Sequence, residues 1–152
     1  MFKSCPYFIT ICTYHRQCTL GTIEPSKTGP RWNPSPWGQT IAASIQSMEI
    51  CYPDVKIERY SIMPNHVHMI VRAIRFPSKK IHDFVNTWKH VVSQNFTQSP
   101  KNKYPIWEKH YLSQSIFSIY AYNGLNEYLD DSLNKWKYDK LYVPCNTTFL
   151  TR

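Results

Sequence analysis

The stretch from Tyr60 to Val71 (YSIMPNHVHMIV) constrains the fold of this chain more than any other part of the sequence. It consists of two apolar runs joined by Met63-Pro64-Asn65, which is typical turn chemistry. Two strands joined by so short a connection must be antiparallel neighbours. The sequence therefore predicts an antiparallel sheet built around this hairpin.

The second strand of the hairpin carries two histidines separated by one valine. Because successive side chains in a strand alternate between faces, His66 and His68 share one face and the apolar Val67 and Met69 lie on the other. Imidazole is the commonest metal ligand in proteins and a general base near neutral pH. Taken alone, the pattern is also typical of two half-exposed histidines on a sheet, so both interpretations stay open.

Length and composition favour one globular domain over residues 1–152. The chain has 152 residues, of which 42% are apolar, enough for a sizeable core. We find no apolar run of about 20 residues and no signal-peptide pattern near the first residues. We therefore expect a cytoplasmic protein with no membrane association.

The charge and the aromatic content point to an anionic partner. Lys and Arg total 18 against 10 Asp and Glu, a formal net charge of +8. Such an excess favours nucleic acid, and the aromatic content of 15% favours single strands, whose bases stack on aromatic rings. The alternative is a merely basic soluble protein.

The cysteines indicate neither a disulfide framework nor a zinc site. Their number is odd and no CxxC pair occurs among them, so we expect reduced side chains without a chemical role. They are Cys5, Cys12, Cys18, Cys51 and Cys145.

Hydrophobic periodicity divides the rest of the chain into strands, helices and one long loop. Four prolines between residues 24 and 36 predict a loop without regular structure. The predicted elements are a strand over 7–13, the loop over 24–36, a helix over 38–52, a strand over 55–63, the histidine strand, a helix from an N-cap at Ser78 to Phe96, an extended segment over 107–117, and a helix over 119–136.

This order predicts an α+β fold of the ferredoxin-like (RRM-like) βαββαβ type, with an additional C-terminal helix. In that arrangement two helices cover one face of the sheet and leave the other face open. The apolar side chains of the histidine strand belong under the helices. We therefore expect His66 and His68 on the open face, where a site can form.

Four separate stretches of the sequence resemble one family in the expected order. The motif MPNHVHMIV resembles the histidine-hydrophobic-histidine signature of single-tyrosine HUH transposases. The resemblance is closest to the REP-associated tyrosine transposases and their insertion-sequence relatives. The family's first strand and turn are matched by YFITICTYHRQCTLGTI, and its central hairpin is matched by DVKIERYSIMPNHVHMIV. Its second helix is matched by FVNTWKHVVSQNF. Its terminal YIxxNPxxWxxD block is similar to YLDDSLNKWKYDKLY. The resemblance runs from Tyr7 to Tyr142.

The resemblance implies a reaction and a set of site residues. In that family two histidines and a polar side chain of the last helix bind one divalent ion, Mg²⁺ or Mn²⁺, which holds a phosphate of single-stranded DNA. A tyrosine of the last helix attacks the phosphorus and leaves a 5′-phosphotyrosine and a free 3′-OH. Carried over by position, His66, His68 and Ser132 are the metal ligands. Tyr128 is the nucleophile and forms part of the C-terminal helix.

General chemistry agrees with these roles. A tyrosine hydroxyl with a pKa near 10 needs activation by a metal or a base. Positions four apart on a helix face the same way, so Tyr128 and Ser132 can address one site. The donor set alone would also accept Zn²⁺. Tyr111, Tyr120 and Tyr122 are the alternative nucleophiles if the register shifts.

Several positions depart from the family pattern. Ser132 replaces the usual Asn or Gln, and Asp131 could substitute for it as a ligand. Leu133 replaces the Pro that follows. Gln114 and Phe117 replace the His and Arg of a DHIIR-like segment, so DNA contacts are altered or the enzyme has decayed.

Three functions follow as hypotheses. The first is metal-dependent cleavage and strand transfer of single-stranded DNA at hairpin-associated sites, that is, DNA transposition by a prokaryotic-type, nucleoid-associated protein acting as a monomer or a homodimer. The second is a domesticated protein that binds hairpins without cutting, and the third is a hydrolase that uses water in place of Tyr128. The candidate phosphate contacts are Lys79, Lys80, Lys89, Lys101, Lys103, Lys135 and Lys137.

Overall fold

The computed structural model describes residues 5–74, 77–97 and 104–145. These ranges contain six strands and three α-helices, with short 3₁₀ turns at Tyr14–Arg16 and Trp136–Tyr138. In chain order they are β1 (Tyr7–Cys12), β2 (Gly21–Glu24), β3 (Arg31–Pro34), α1 (Pro36–Cys51), β4 (Val55–Met63), β5 (His66–Ala73), α2 (Pro77–Thr97), β6 (Leu112–Ser115) and α3 (Ile119–Asp130).

The main sheet has the strand order β4-β5-β1-β6, and all its neighbouring strands are antiparallel. β4 and β5 form the hairpin predicted from the sequence, with Met63 paired with His66. β1 lies between β5 and β6, so the first and last core strands are neighbours although they are far apart in sequence. The predicted ferredoxin-like arrangement is confirmed.

One face of the sheet packs against α1 and α2 and forms the main core. Val67, Met69 and Val71 of β5 are buried there, as the alternation of β5 predicts. α2 contributes Phe84 and Trp88, both almost fully buried in the same cluster. Apolar burial of this kind is the principal stabilising term of the fold.

A bulge in β4 sets which side chains face the histidines. The register with β5 shifts between Ile57 and Arg59, after which Ser61 pairs with His68. Directly paired residues lie on the same face of a sheet, and a shift by one residue exchanges the two faces. The bulge therefore brings Ser61, and not Tyr60, to the face that carries the histidines.

The segment predicted to be a proline-rich loop is partly regular, so that prediction is wrong. β2 and β3 form a two-stranded sheet, and Pro34 lies at the end of β3, where a missing N–H costs no ladder bond. α1 begins at Pro36 rather than at residue 38. Ser35 caps it, because its hydroxyl accepts from Gly38 N at 3.0 Å.

Two further boundaries differ from the prediction. α2 begins at Pro77, so Ser78 lies inside the helix rather than before it; proline suits the first helical position. In the extended segment 107–117, only Leu112–Ser115 pairs as a strand, with a single bridge between Trp107 and Thr13.

α3 ends at Asp130, six residues before the predicted end at Trp136. Asp131 is its C-cap, and the Ser132 hydroxyl donates to Leu129 O at 2.9 Å. Asp and Ser favour helix ends because their side chains compete for backbone groups. Ser132 and Trp136 therefore lie in the segment that follows the helix.

The face predicted to be open is covered, so the expected exposure of the histidines is wrong. Leu129 of α3 packs with Ile70 and Ile116 in a second apolar cluster on this face. The turns after α3 cover the rest, and His66 and His68 are 0% and 4% exposed. The C-terminal third of the chain thus closes a buried pocket over β5.

Cys18 and Cys145 form a disulfide, which corrects the expectation that all cysteines are reduced. Their positions, 127 residues apart, gave no sequence signal, because the pairing depends on how the C-terminal segment returns to the loop before β2. Cys5, Cys12 and Cys51 are free thiols.

Candidate metal and tyrosine site

The two histidines of β5 lie side by side in the buried pocket under α3. Their ring centroids are 4.6 Å apart at an interplanar angle of 70°. Among the described residues, neither Nε2 atom has a hydrogen-bond partner although both are buried. Buried polar atoms are almost always satisfied, so two adjacent unsatisfied nitrogens indicate a ligand-binding role.

Asn65 orients His66. Asn65 Nδ2 donates to Leu141 O at 2.7 Å, and Oδ1 is therefore the atom that faces His66 Nδ1 at 2.8 Å. Because a carbonyl oxygen only accepts, the His66 proton is on Nδ1 and the lone pair is on Nε2. Metal-binding histidines are held in this way, with the second nitrogen donating to the protein.

His68 is oriented from the neighbouring strand. Thr10, its direct partner in β1, places Oγ1 at 2.9 Å from His68 Nδ1. Phe8 stacks on the imidazole, with the ring centroids 4.8 Å apart. The ring is fixed on two sides, and Nε2 is the nitrogen left for a ligand.

Both imidazoles are neutral at physiological pH. Burial lowers the pKa of His66 to about 4. Burial, together with the neighbouring His66, lowers the pKa of His68 to about 3. A neutral imidazole is the form that coordinates a metal.

Tyr128 of α3 lies against His68. Its ring makes an edge contact with His68, with a centroid distance of 5.6 Å, and its side chain borders the solvent with the residue 41% exposed. Burial raises the pKa of Tyr128 to about 12, and the nearby Asp139 carboxylate adds to the shift. The hydroxyl donates to Asp139 Oδ2 at 3.3 Å.

Asp139 is the acidic side chain of the site, and it was not among the predicted ligands. Its Oδ2 atom lies 3.7 Å from His66 Nε2, and its side chain is only 5% exposed. The 3₁₀ turn Trp136–Tyr138 leads into it, and Trp136 packs near His66 with a centroid distance of 6.1 Å. The final Asp of the WxxD pattern was the sequence signal for this residue.

Ser132 lies at the site but is engaged with other groups. It is buried, its hydroxyl donates to Leu129 O, and its Oγ lies 3.3 Å from Ser61 Oγ. Asp131, the suggested substitute, pairs with Lys135 at 3.3 Å and accepts from Asn134. Its carboxylate is directed to these groups.

The donor set fits a divalent cation. Two neighbouring buried imidazoles each have an unpartnered Nε2 atom, and a carboxylate lies beside one of them; nitrogen and oxygen donors suit Mn²⁺, Mg²⁺ or Zn²⁺. In the described part of the chain, no three His, Cys, Asp or Glu side chains form a ready-made metal cage. The histidines thus account for two ligands, and a third must move in or come from a substrate.

Two clefts reach this pocket from the solvent. One, of about 460 Å³, lies between α3 and the turns after it, and both Ser132 and Lys135 line it with Tyr128. The other, of about 530 Å³, runs past His68 to β6 and is lined by Gln114 and Lys140. An extended polymer can therefore pass Tyr128 from either side.

The candidate phosphate contacts have different positions. Lys135 lines the first cleft, and Lys80 forms an ion pair with Asp54 at 3.8 Å on α2, away from Tyr128. Lys89 donates to Glu108 O at 3.0 Å and so has a structural role. Lys137 is exposed. The side chain of Lys79, and the whole of Lys101 and Lys103, lie outside the described residues.

The alternative tyrosines make contacts elsewhere. Tyr111 and His82 share a hydrogen bond of 2.7 Å, and Tyr122 donates to Glu58 at 3.0 Å. Tyr120 is 87% exposed on α3. Phe117, which replaces a family Arg, is 85% exposed. Tyr128 is the tyrosine that the fold brings against His68.

Sequence reasoning missed four contributors to the site. Asn65 had a signal, since it immediately precedes His66 in MPNHVH, and Asp139 ends WxxD. Thr10 and Lys140 had no sequence signal. Thr10 reaches the site through strand pairing, and Lys140 reaches it through the path of the C-terminal segment.

Comparisons with known proteins agree with this fold. The structure aligns with a candidate transposase from Deinococcus radiodurans R1 at a TM-score of 0.56 and 15% identity, covering 86% of this chain and 92% of that one. It aligns with a REP-associated tyrosine transposase bound to a REP hairpin at a TM-score of 0.54 and 17% identity, covering 90% of this chain and 70% of that one.

Sequence comparison extends the likeness. An uncharacterised protein of Haemophilus influenzae is 25% identical over 157 residues, covering 90% of this chain and 84% of the relative. No helix among the described residues is long and apolar enough to cross a membrane. The family model of IS200-like transposases matches residues 35–131, which include His66, His68 and Tyr128 but neither Ser132 nor Asp139. Because this match spans more than half of the sequence, the chain belongs to the IS200-like transposase family.

Proposed function

We propose that this protein carries out DNA transposition by cutting and rejoining single-stranded DNA through a covalent 5′-phosphotyrosine on Tyr128. Membership of the transposase family supports DNA transposition in general. The finer mechanism is supported by the buried site on β5 and α3. We further propose that residues 1–152 act as one domain, in the cytoplasm and at the nucleoid.

One observation carries the proposal. Two buried Nε2 atoms without hydrogen-bond partners belong to neighbouring rings, and a half-exposed tyrosine contacts one of these rings. A purely structural histidine pair would be satisfied by neighbouring groups, and a purely structural tyrosine would not border a cleft. The combination suits a phosphate held between a cation and a nucleophile.

His66 and His68 would hold Mg²⁺ or Mn²⁺. Ser132 aligns with the family's third ligand position, but its hydroxyl is donated to Leu129 O. When bound, the cation supplies positive charge that offsets charge developing on the phosphate. Asn65 and Thr10 keep both imidazoles in the orientation that this requires. α3 and Trp136 cover much of the pair, so that His66 and His68 are 0% and 4% exposed.

Tyr128 supplies the nucleophilic oxygen. Its Oη atom forms a bond to phosphorus while the bond from phosphorus to the 3′ oxygen breaks. The phenolic proton is released and the 3′ oxygen takes one up, so the products are the 5′-phosphotyrosine and a free 3′-OH. The reverse attack by a 3′-OH restores a phosphodiester, which makes rejoining possible without an external energy source.

The clefts beside Tyr128 suit a single strand. Lys135 and Lys140 border them and can contact phosphates. Lys79, Lys80, Lys101 and Lys103 stay predictions for DNA held further from the site. The REP hairpin bound by a protein of the same fold supports a hairpin next to the cleavage position.

A non-cleaving hairpin-binding protein is the second candidate. It is favoured by the engaged hydroxyl of Ser132 and by the raised pKa of Tyr128. In this candidate the fold and the two clefts are retained for binding alone.

The test is covalent trapping. Labelled single-stranded DNA from the flanks of the gene would be incubated with the protein and Mn²⁺ or with EDTA, then separated on a denaturing gel. We expect a protein-linked label that requires the metal and is lost in Tyr128→Phe and in His66→Ala. The matched control is Tyr120→Phe, an exposed tyrosine of the same helix, which should retain full yield.

The other outcomes identify the alternatives. Cleavage without a covalent adduct that persists in Tyr128→Phe would replace the tyrosine mechanism by hydrolysis with water. Tight hairpin binding without cleavage in any metal would establish the binding protein and overturn the transposase mechanism.

A further inference from the structure

We infer that Asp139, and not Ser132, supplies the third protein ligand to the divalent ion held by His66 and His68. The inference rests on the proposed function and deepens it by assigning a ligand outside the span matched to the family.

Asp139 is the carboxylate that reaches the histidine pair. Its Oδ2 lies 3.7 Å from His66 Nε2 and 3.3 Å from the Tyr128 hydroxyl, in a side chain that is 5% exposed. Burying a carboxylate is costly unless a charged or hydrogen-bonding partner compensates. Hydrogen bonds from Leu141 N and the Tyr128 hydroxyl offset part of this cost, and a cation bound beside His66 would offset more of it.

The C-terminal segment directs Oδ2 at the histidines. Oδ1 accepts from Leu141 N at 2.8 Å, which leaves the second oxygen turned inward. Leu141 O in turn accepts from Asn65 Nδ2 at 2.7 Å, the same amide that orients His66. The side chain of Asn65 thus orients His66 and also holds the segment that carries Asp139.

Ser132 is a weaker candidate on the same evidence. Its single hydroxyl proton is donated to Leu129 O, and its oxygen also contacts Ser61. A neutral hydroxyl offers less charge than a carboxylate, which Mg²⁺ and Mn²⁺ prefer. Asp131 has the required charge, but Lys135 and Asn134 hold it.

A small movement would complete the site. Ligands at about 2.1 Å from one ion and at right angles to each other are about 3 Å apart. The observed 3.7 Å between Asp139 Oδ2 and His66 Nε2 is therefore within about 1 Å of coordination distance.

The experiment measures Mn²⁺ affinity by calorimetry and by the electron paramagnetic resonance signal of free Mn²⁺. The variant Asp139→Asn keeps the shape of the side chain and an oxygen for Leu141 N. We expect its dissociation constant to rise at least tenfold, as is typical for a lost metal contact, while Ser132→Ala stays within about twofold of the wild type. Asp131→Asn is the matched control and should also stay within about twofold.

A thiol substitution tests the same contact if Asp139→Asn does not fold. Asp139→Cys should add a Cd²⁺–thiolate charge-transfer band in the ultraviolet, measured as a difference from the wild type, and Ser132→Cys should not. A band in Ser132→Cys alone, or Mn²⁺ affinity that Ser132→Ala loses and Asp139→Asn keeps, would overturn the inference. So would a wild-type protein that does not bind Mn²⁺.

The two proposals can fail separately. If wild type forms the covalent DNA adduct while Asp139→Asn binds Mn²⁺ normally, the function stands and the ligand assignment is wrong. If Asp139→Asn weakens Mn²⁺ binding but wild type never links to DNA, the ligand assignment stands and the proposed function is wrong.

Discussion

Asn65 shows how much of the site depends on one residue. Its amide nitrogen donates to Leu141 O and also to Arg16 O at 3.3 Å, and its backbone oxygen accepts from Thr13 N at 3.0 Å. Its remaining side-chain oxygen faces His66. Because the residue is fully buried, any substitution leaves several of these groups unsatisfied. Orientation of the histidine and closure of the pocket are therefore coupled.

The buried histidines should make stability depend on pH in the mildly acidic range. Their pKa values of about 4 and about 3 lie below the unfolded value of 6.5, so below pH 6.5 the unfolded chain binds protons that the folded protein does not. We expect the free energy of unfolding to fall between pH 6.5 and 5 by up to about 1.4 kcal/mol per pH unit for each histidine, and to level off above about pH 7. Urea unfolding in the presence of EDTA, repeated at several pH values, measures this dependence of the unfolding free energy on pH.

A double variant isolates this contribution. Substitution of both His66 and His68 by Gln removes the two titrating groups while the other histidines remain. Its unfolding free energy should change much less over the same pH range. Equal slopes in wild type and variant would contradict the assignment of the effect to this pair.

At the scale of elements, α3 is held to the sheet by a few specific contacts. The bulge in β4 directs Arg59 toward α3, where its guanidinium donates to Asn126 Oδ1 at 3.2 Å and pairs with Asp130. Tyr122 of the same helix donates to Glu58. The helix that carries the candidate nucleophile is thus positioned by polar contacts at both ends and by Leu129 between them.

Arg59→Ala should loosen α3 without unfolding the sheet. Loss of partly exposed contacts worth about 1 kcal/mol should increase local opening of the helix about fivefold. Hydrogen exchange at the α3 amides should accelerate accordingly, and the yield of covalent DNA adduct should fall. Lys56→Ala, an exposed lysine on the same strand, is the control. Unchanged exchange in Arg59→Ala would show that Leu129 and its neighbours hold the helix alone.

The elements also show what sequence alone could predict. Alternation located β1, β4 and β5 well, because each has one face in the core. It missed the β2–β3 pair, because the prolines of this segment predict a loop more strongly than two strands of only four residues predict a sheet. It extended α3 to Trp136 because the apolar spacing continues through turns, where Ser132 bonds back to Leu129. The WxxD pattern marked Asp139, but its position beside His66 depends on the path of the C-terminal segment, which no local pattern encodes.

At the scale of the whole molecule, the chain closes on itself at the site. The segment after α3 passes Asp139, contacts Asn65 through Leu141, and ends in the disulfide with Cys18. Residues of β1 and of the segment after α3 therefore enclose His66 and His68. The pocket is a property of the complete chain rather than of the sheet alone.

Reduction of this disulfide should destabilise the protein. A crosslink between residues 127 apart restricts the unfolded chain, which in the loop-entropy treatment is worth about 4 to 5 kcal/mol. We expect a lower thermal midpoint with a reductant and the same loss in Cys145→Ser. Cys51→Ser removes an exposed free thiol and should have no effect. A midpoint that is insensitive to reductant would show that the closing segment does not depend on the crosslink.

The half-exposed position of Tyr128 has a consequence for how such proteins change over generations. The histidines are packed inside the protein, so replacing them endangers the fold, whereas replacing a tyrosine that is 41% exposed leaves folding nearly unaffected. Lineages that lose cleavage but keep DNA binding should therefore lose the tyrosine first and retain the histidine pair. Under the proposed mechanism, the residue at this one position should then distinguish members of the family that cleave DNA from those that only bind it.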